Sequence, residues 1–309
     1  MLGTISKLNA GFLFAFASAA LFAIRAIFVK LVYLEGVDPL TLIAFRMLFS
    51  LPLYALVLFF LLRDKELRQR LTGRNILFAS VIGCLGYYSA SYLDLLGLQY
   101  VTAQLGRVVL YTYPTFVVVI GLIFFAEKIT LRTIVALLVT YSGVLLMFGY
   151  DISVYGDDVK KGVILILLCA LSFSFYLRLS KPLIKEMGSR LFTSFALIAA
   201  SIGILCHFYI ETHFGTGTIA ISDISKKAFF WIFVIALFCT VIPTYLTAAA
   251  VANIGAEKTG IAAMIGPAFT SVFAVTILGE SFTLFHLAGI SLTVLGVWII
   301  KRPDKPITP

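Results

Sequence analysis

The chain has 309 residues, of which 61% are hydrophobic and 13% charged, and a formal net charge of +9. Soluble domains run at about 45–50% apolar and about 25% charged, so this composition excludes a soluble enzyme, a secreted disulfide scaffold and a disordered protein. The basic residues sit in short loops between apolar runs, which excludes nucleic acid as a partner. Cys84, Cys169, Cys206 and Cys239 all lie inside apolar runs without CxxC spacing and are expected to be core-packing thiols.

Apolar stretches of helical length recur at 9–34, 39–62, 75–98, 102–126, 131–149, 161–180, 190–211, 228–251, 257–279 and 284–300. A span needs about 20 apolar residues, and lipid offers no partner to bare backbone groups, so ten transmembrane helices are predicted. The first stretch follows Lys7 and carries Ala17-Ser18-Ala19, as a signal peptide does. It runs on through Arg25 and Lys30 and is expected to be retained.

An ionisable residue within a span is costly unless it faces protein or water, so each is a functional candidate. Arg25 lies near the middle of span 1 with no acidic residue expected at its depth, which points to an anionic-group ligand. Lys30 either snorkels from the end of span 1 or faces the interior. Arg46, early in span 2, pairs with Glu35 or Asp38 or faces a cavity. In span 3, Tyr87, Ser91 and Asp94 fall at i, i+4 and i+7 and share a helix face, as do Arg107 and Tyr111 in span 4. Asp94 and Arg107 are nearly equidistant from the turn at Tyr100-Val101. A salt bridge between spans 3 and 4 is therefore feasible, either as a staple or as a gate in which Arg107 takes a carboxylate and Asp94 an ammonium.

Pro114, Pro243 and Pro267 interrupt spans 4, 8 and 9, as hinges or as packing kinks. Thr240 and Thr244 flank Pro243, and their hydroxyls could take the carbonyl it frees. His207, His213 and His286 have no metal-ligand spacing, and there is no Walker, dinucleotide-glycine or GxSxG motif. No metal, cofactor or catalytic residue is expected.

Loop charges give the orientation. The 63–74 loop carries Arg63, Lys65, Arg68, Arg70 and Arg74, whereas the 35–39 and 150–161 loops carry Glu35, Asp38, Asp151, Asp157 and Asp158. Placing the basic loop in the cytoplasm puts both termini there, with sixteen of the 24 Lys and Arg residues.

The chain also repeats. A shift of 153 residues lays 100–148 on 253–301 and matches Ala103/Ala256, Pro114/Pro267, Phe116/Phe269, Glu127/Glu280, Thr130/Thr283, Thr140/Thr293 and Gly143/Gly296. A shift of 151 pairs Gly11/Gly162, Ala19/Ala170, Phe22/Phe173 and Lys30/Lys181. Each half, 1–155 and 156–309, holds five spans. Since five is odd, the second half enters the membrane from the opposite side. The expected fold class is therefore an all-α integral membrane protein of ten helices in two inverted five-helix repeats, an arrangement that supplies two alternate states around one central site. Glu127 and Glu280, at the ends of equivalent helices, are expected to be structural.

The stretch LGLQYVTAQLGRVVLYTYPTFVVVIGLIFFAEKITLRTIVALLVTYSGVLLM and its counterpart NIGAEKTGIAAMIGPAFTSVFAVTILGESFTLFHLAGISLTVLGVWII resemble the paired EamA domains of the drug/metabolite transporters. The likeness covers essentially the whole chain, with Lys30, Arg46, Pro114, Pro267, Ala126-Glu127 and Gly279-Glu280 where the family has them. Arg25, Asp94 and Arg107 depart from its usual pattern. The resemblance implies a secondary transporter of the inner membrane that moves, often by export, an amino acid or related carboxylate-bearing metabolite. A small-molecule substrate and membrane lipid are the expected partners, with a homodimer as an open alternative. An integral-membrane enzyme or lipid-processing protein, or a carrier of phosphorylated or other anionic metabolites, are the competing readings.

Overall fold

The computed structural model describes residues 2–126, 130–215 and 221–301, and every regular element among them is helical. Among the described residues, nine helices are long and apolar enough to span a membrane: α1 (Leu2–Leu34), α2 (Pro39–Leu62), α3 (Gly73–Leu98), α4 (Ala103–Phe124), α5 (Leu131–Tyr155), α6 (Asp158–Met187), α7 (Ser189–Phe214), α8 (Lys226–Gly255) and α9 (Lys258–Leu278). A shorter apolar helix, α10 (Leu284–Lys301), follows them. A five-residue helix, Lys65–Gln69, occupies the α2–α3 loop.

Starts are set by side-chain caps that satisfy first-turn N–H groups. Asp38 accepts from Thr41 N at 2.9 Å ahead of Pro39. Thr72 caps α3 through Asn75 N and Ser225 caps α8 through Ala228 N, at positions 153 residues apart. Below Ser225, Lys227 reaches across to Glu35 at 2.7 Å, and the Ser225 hydroxyl donates to the same carboxylate at 2.8 Å. The Lys227 hydrogen bond first, then that of Ser225, holds the Glu35 carboxyl below the usual carboxylate range.

Several backbone irregularities recur at the repeat interval, although a third π segment, Ala274–Leu278 in α9, has no counterpart in α4. π-helical segments occupy Cys84–Ser89 in α3 and Leu237–Val241 in α8, again 153 residues apart. In α4 the helix breaks at Tyr111-Thr112 and restarts at Tyr113. In α9 a 3-10 turn at Ala263–Ile265 precedes a restart at Gly266. Pro114 and Pro267 thus stand in the first turn of a new helical segment, not in a helix interior as expected, and there the missing N–H has no carbonyl to satisfy. Pro243 follows the π segment of α8. The hydroxyls of Thr240 and Thr244 donate to the carbonyls of Ile235 and Thr240, not to that of Cys239 four residues before Pro243 as expected, while Ser18 of α1 donates to the carbonyl of Pro243.

The tightest pairings set α5 against α10, α1 against the second part of α8, and α2 against α7. At α5/α10 the repeat-matched glycines carry the approach. A Cβ on Gly143 would meet the Gly289 carbonyl and the Thr293 hydroxyl, and one on Gly296 would meet Thr140 and the Ala136 carbonyl. Small residues there let the backbones close, as membrane helix pairs require.

Two expectations need correcting. Helix α5 runs to Tyr155, so Asp151 is not in a solvated loop; it is fully buried on the helix. Cys206 faces outward and is exposed, unlike Cys169 and Cys239, which are buried, because it lies on the outer side of α7.

Helices α4 and α9 end in left-handed residues at matched positions, Ala126 (φ 52°) and Gly279 (φ 68°). A Cβ costs about 1 kcal/mol in that region. Ala126→Gly should therefore raise stability in detergent by about 0.5–1 kcal/mol and Gly279→Ala lower it by about the same. Thermal unfolding checks this, and shifts of the same sign would refute it.

Candidate functional site

The intramembrane charges gather in one place. Arg25 Nη2 of α1 meets Asp94 Oδ2 of α3 at 2.5 Å, with side chains only 17% and 5% exposed. The expected Asp94–Arg107 bridge is not formed, and Arg25 does have an acidic partner. Equal distance from a hairpin turn fixes depth but not azimuth, and Asp94 faces α1 instead of α4.

Arg107 instead crosses between the halves of the sequence. Its Nη2 donates to the Phe22 carbonyl of α1 and its Nε to the Thr270 hydroxyl of α9 at 3.3 Å. Thr270 in turn donates to the Ala23 carbonyl at 3.3 Å. Neutral oxygens thus hold this guanidinium, and none of them cancels its charge. Arg46 of α2 is 1% exposed and its Nε has no hydrogen-bond partner. Of its expected partners, Glu35 is engaged by Lys227 and Ser225, and Asp38 caps α2. Arg46 therefore faces inward, where Arg25, Asp94, Tyr33 and Tyr54 lie within electrostatic reach. Three guanidinium groups share one carboxylate, and this imbalance is the dominant property of the site.

The remaining expected site residues divide. Tyr111 joins the centre by donating to the Ala263 carbonyl at 2.6 Å, which ties the α4 break to the α9 break. Ser91 is half-buried three residues before Asp94. Tyr87 is drawn elsewhere: its hydroxyl meets that of Tyr176 at 2.9 Å. It sits inside the π segment, whose wider turn breaks the i, i+4 register assumed for Tyr87, Ser91 and Asp94. Glu127 lies outside the described residues.

Glu280 has a defined structural task. Its Oε1 accepts from Ala103 N at 2.7 Å, and its Oε2 from Gln104 N and Gln104 Nε2, each at 3.3 Å. The adjacent N-cap, Thr102, accepts from Leu105 N at 3.1 Å. The first N–H groups of α4 are thus satisfied by one hydroxyl and one carboxylate, whose charge complements the helix dipole.

Sequence reading missed a neighbouring cluster. Thr102 also donates to Asp151 Oδ2 at 2.7 Å, and Asp151 Oδ1 faces His286 Nε2 at 3.6 Å. Two signals were available: the apolar period of span 5 continues past 149, and His286 stands three residues after Thr283, a capping-box position. The described residues contain no group of three or more His, Cys, Asp or Glu side chains that could hold a metal ion.

Spans of this number, packed around a buried cationic centre, define a multi-pass membrane protein. The chain belongs to the EamA-like transporter family, which it matches over residues 9–149 and 160–302. It is similar to two proteins of Bacillus subtilis (strain 168). The one named Uncharacterized transporter YcbK is 26% identical over 287 residues, covering 92% of this chain and 90% of its own length. Uncharacterized transporter YdfC is 28% identical over 265 residues, covering 85% and 82%. One solved crystal structure superposes with a TM-score of 0.63 at 15% identity, covering 94% of this chain and 96% of the other, which shows a shared fold.

Replacing Glu280 by Gln keeps an acceptor but removes the charge from the start of α4. The variant should lose about 1–2 kcal/mol of stability in detergent. An unchanged melting temperature would show that the contact contributes nothing.

Proposed function

We propose that the protein is a secondary transporter that moves a small carboxylate-bearing metabolite, an amino acid by preference, across the cytoplasmic membrane by alternating access, in the export direction. The observation that carries this reading is the uncompensated charge of the centre: Arg25, Arg46 and Arg107 against Asp94 alone. Lipid cannot stabilise that excess, and a bound anion can. The chemistry follows from the geometry. A substrate carboxylate competes with Asp94 for Arg25, and as it takes the guanidinium it frees Asp94 for the substrate's ammonium. Each charge then exchanges one partner for another without being left bare. The unpartnered Arg46 Nε favours a second reading, a dicarboxylate or phosphorylated metabolite that engages the arginines and leaves Asp94 on Arg25.

The matched π segments, restarts and left-handed caps support treating the two halves as repeats, residues 1–155 and 156–309, which an odd number of spans in each half sets in opposite orientation, and the basic 63–74 loop supports placing both termini in the cytoplasm. In this arrangement the breaks at Tyr111-Thr112 and Ala263–Ile265, bonded through Tyr111, are where the two halves rock against each other.

Two experiments test these statements. Reconstituted protein assayed with a metabolite panel should carry an acid and discriminate against its neutral amide; Arg25→Gln should reduce that discrimination by about tenfold or more, the worth of one charge-assisted hydrogen bond. Equal loss for acid and amide would make Arg25 structural. Single cysteines replacing Lys65 and Asp157 should react with impermeant maleimide from opposite sides of the membrane. Labelling of both from one side would overturn the orientation.

A further inference from the structure

The cluster at the start of α4 has properties that no structural role uses up. Asp151 is fully buried, and its Oδ2 holds Thr102 while its Oδ1 has no hydrogen-bond partner. His286, 1% exposed, faces that oxygen with Nε2 at 3.6 Å. The other ring nitrogen is occupied: Nδ1 accepts the backbone N–H of Thr283 at 3.2 Å and stands 2.9 Å from the Thr283 hydroxyl. A backbone N–H can only donate to a bare lone pair, so the ring carries its proton on Nε2 and directs it at Asp151. A second ring proton would have to enter at Nδ1 and would break the α10 cap. The open acceptor in the cluster is therefore Asp151 Oδ1.

The surrounding groups complete the picture. Lys30 of α1 lies within electrostatic reach of both Glu280 and Asp151. Glu280 at the end of α9 has both oxygens committed to Ala103 and Gln104. The Tyr150 ring of α5 packs edge-on against His286 at 5.1 Å, and Phe282 stacks on it at 6.1 Å. Arg107 of α4 lies one to two turns further in, bonded to α1 and α9.

We propose that Asp151, with His286 beside it, is a proton-binding site through which proton movement is coupled to transport; this rests on the transporter reading above. One proton adds to Asp151 Oδ1 and converts the carboxylate to the neutral acid, with no other bond made or broken. The coupling runs along α4. Thr102, held by Asp151, caps the segment Ala103–Leu110, and Arg107 stands in the last turn of that same segment. Protonation replaces a charge-assisted bond to Thr102 by a neutral one and leaves Lys30 facing Glu280 alone. The cap that fixes the Arg107 segment is thereby weakened when the proton is bound. The cluster also spans the two sequence halves, Thr102 and Asp151 from one, Glu280 and His286 from the other, so its protonation bears on the contact that has to open and close.

The test uses the full chain in proteoliposomes loaded with a pH-sensitive dye, with amino acids and dicarboxylates as transported probes. Two rates are read for each: substrate exchange at equal pH, and net movement driven by a pH gradient with its accompanying proton flux. Wild-type protein should show both. Asp151→Asn should lower the ratio of gradient-driven movement to exchange by about tenfold or more and abolish the substrate-linked proton signal. His286→Gln preserves the capping box at Thr283 and the carboxylate, so it should fold and keep the coupling. Coupling that persists in Asp151→Asn, or that vanishes in His286→Gln with the fold intact, overturns the assignment. Wild-type protein that carries substrate but ignores the gradient overturns the proton site and leaves the transport reading standing, whereas protein that carries none of the probes overturns both.

Discussion

A guanidinium in the hydrocarbon layer must find its partners within the protein, because lipid supplies neither counter-charge nor acceptors. The centre of this molecule is arranged around that constraint. Arg25 uses the one available carboxylate, Asp94, and Arg107 uses carbonyl and hydroxyl oxygens from α1 and α9. Arg46 is buried with its Nε unanswered. In this conformation the helices that donate these oxygens lie side by side, and the cluster sets the mutual placement of α1, α3, α4 and α9. The same cluster sets three guanidinium groups against one carboxylate.

Backbone groups obey the same rule. At several places where a helix is broken, another element supplies a bond. The break in α4 is bridged to α9 by Tyr111, the start of α4 by Glu280 and Thr102, and the π segment of α8 is followed by a contact from Ser18. These bonds join segments far apart in sequence, so the irregular backbone is stable only in the assembled bundle. Transmembrane helices can carry such interruptions because neighbours re-satisfy the freed groups.

The first segment of α4 connects the two polar centres. At its N-terminus it depends on the carboxylates of Glu280 and Asp151, and in its last turn it presents Arg107 to α1 and α9. An eight-residue helix is stiff over about 12 Å, so a change in how its start is held is felt at its end.

Much of this was legible in the sequence. Ten apolar runs, the shift of 153 residues and the membership of Arg25, Arg46, Asp94 and Arg107 in spans follow from composition and periodicity, since lipid makes hydropathy and helicity nearly equivalent. The glycine pair Gly143 and Gly296 was visible as a repeat match, though its role at the α5/α10 contact was not. What the sequence could not give is azimuth. A hairpin fixes the depth of Asp94 and Arg107 but not the faces they present, and only the packing of α1 against α3 pairs Asp94 with Arg25. The π segments alter helical register without any signature in residue type, and so they redirect Tyr87 to Tyr176. Asp151 reads as a loop residue because charge marks loops. It takes the approach of α10 to α5 and of Thr102 to both to make its burial tolerable, and such contacts between distant segments exist only in the folded bundle.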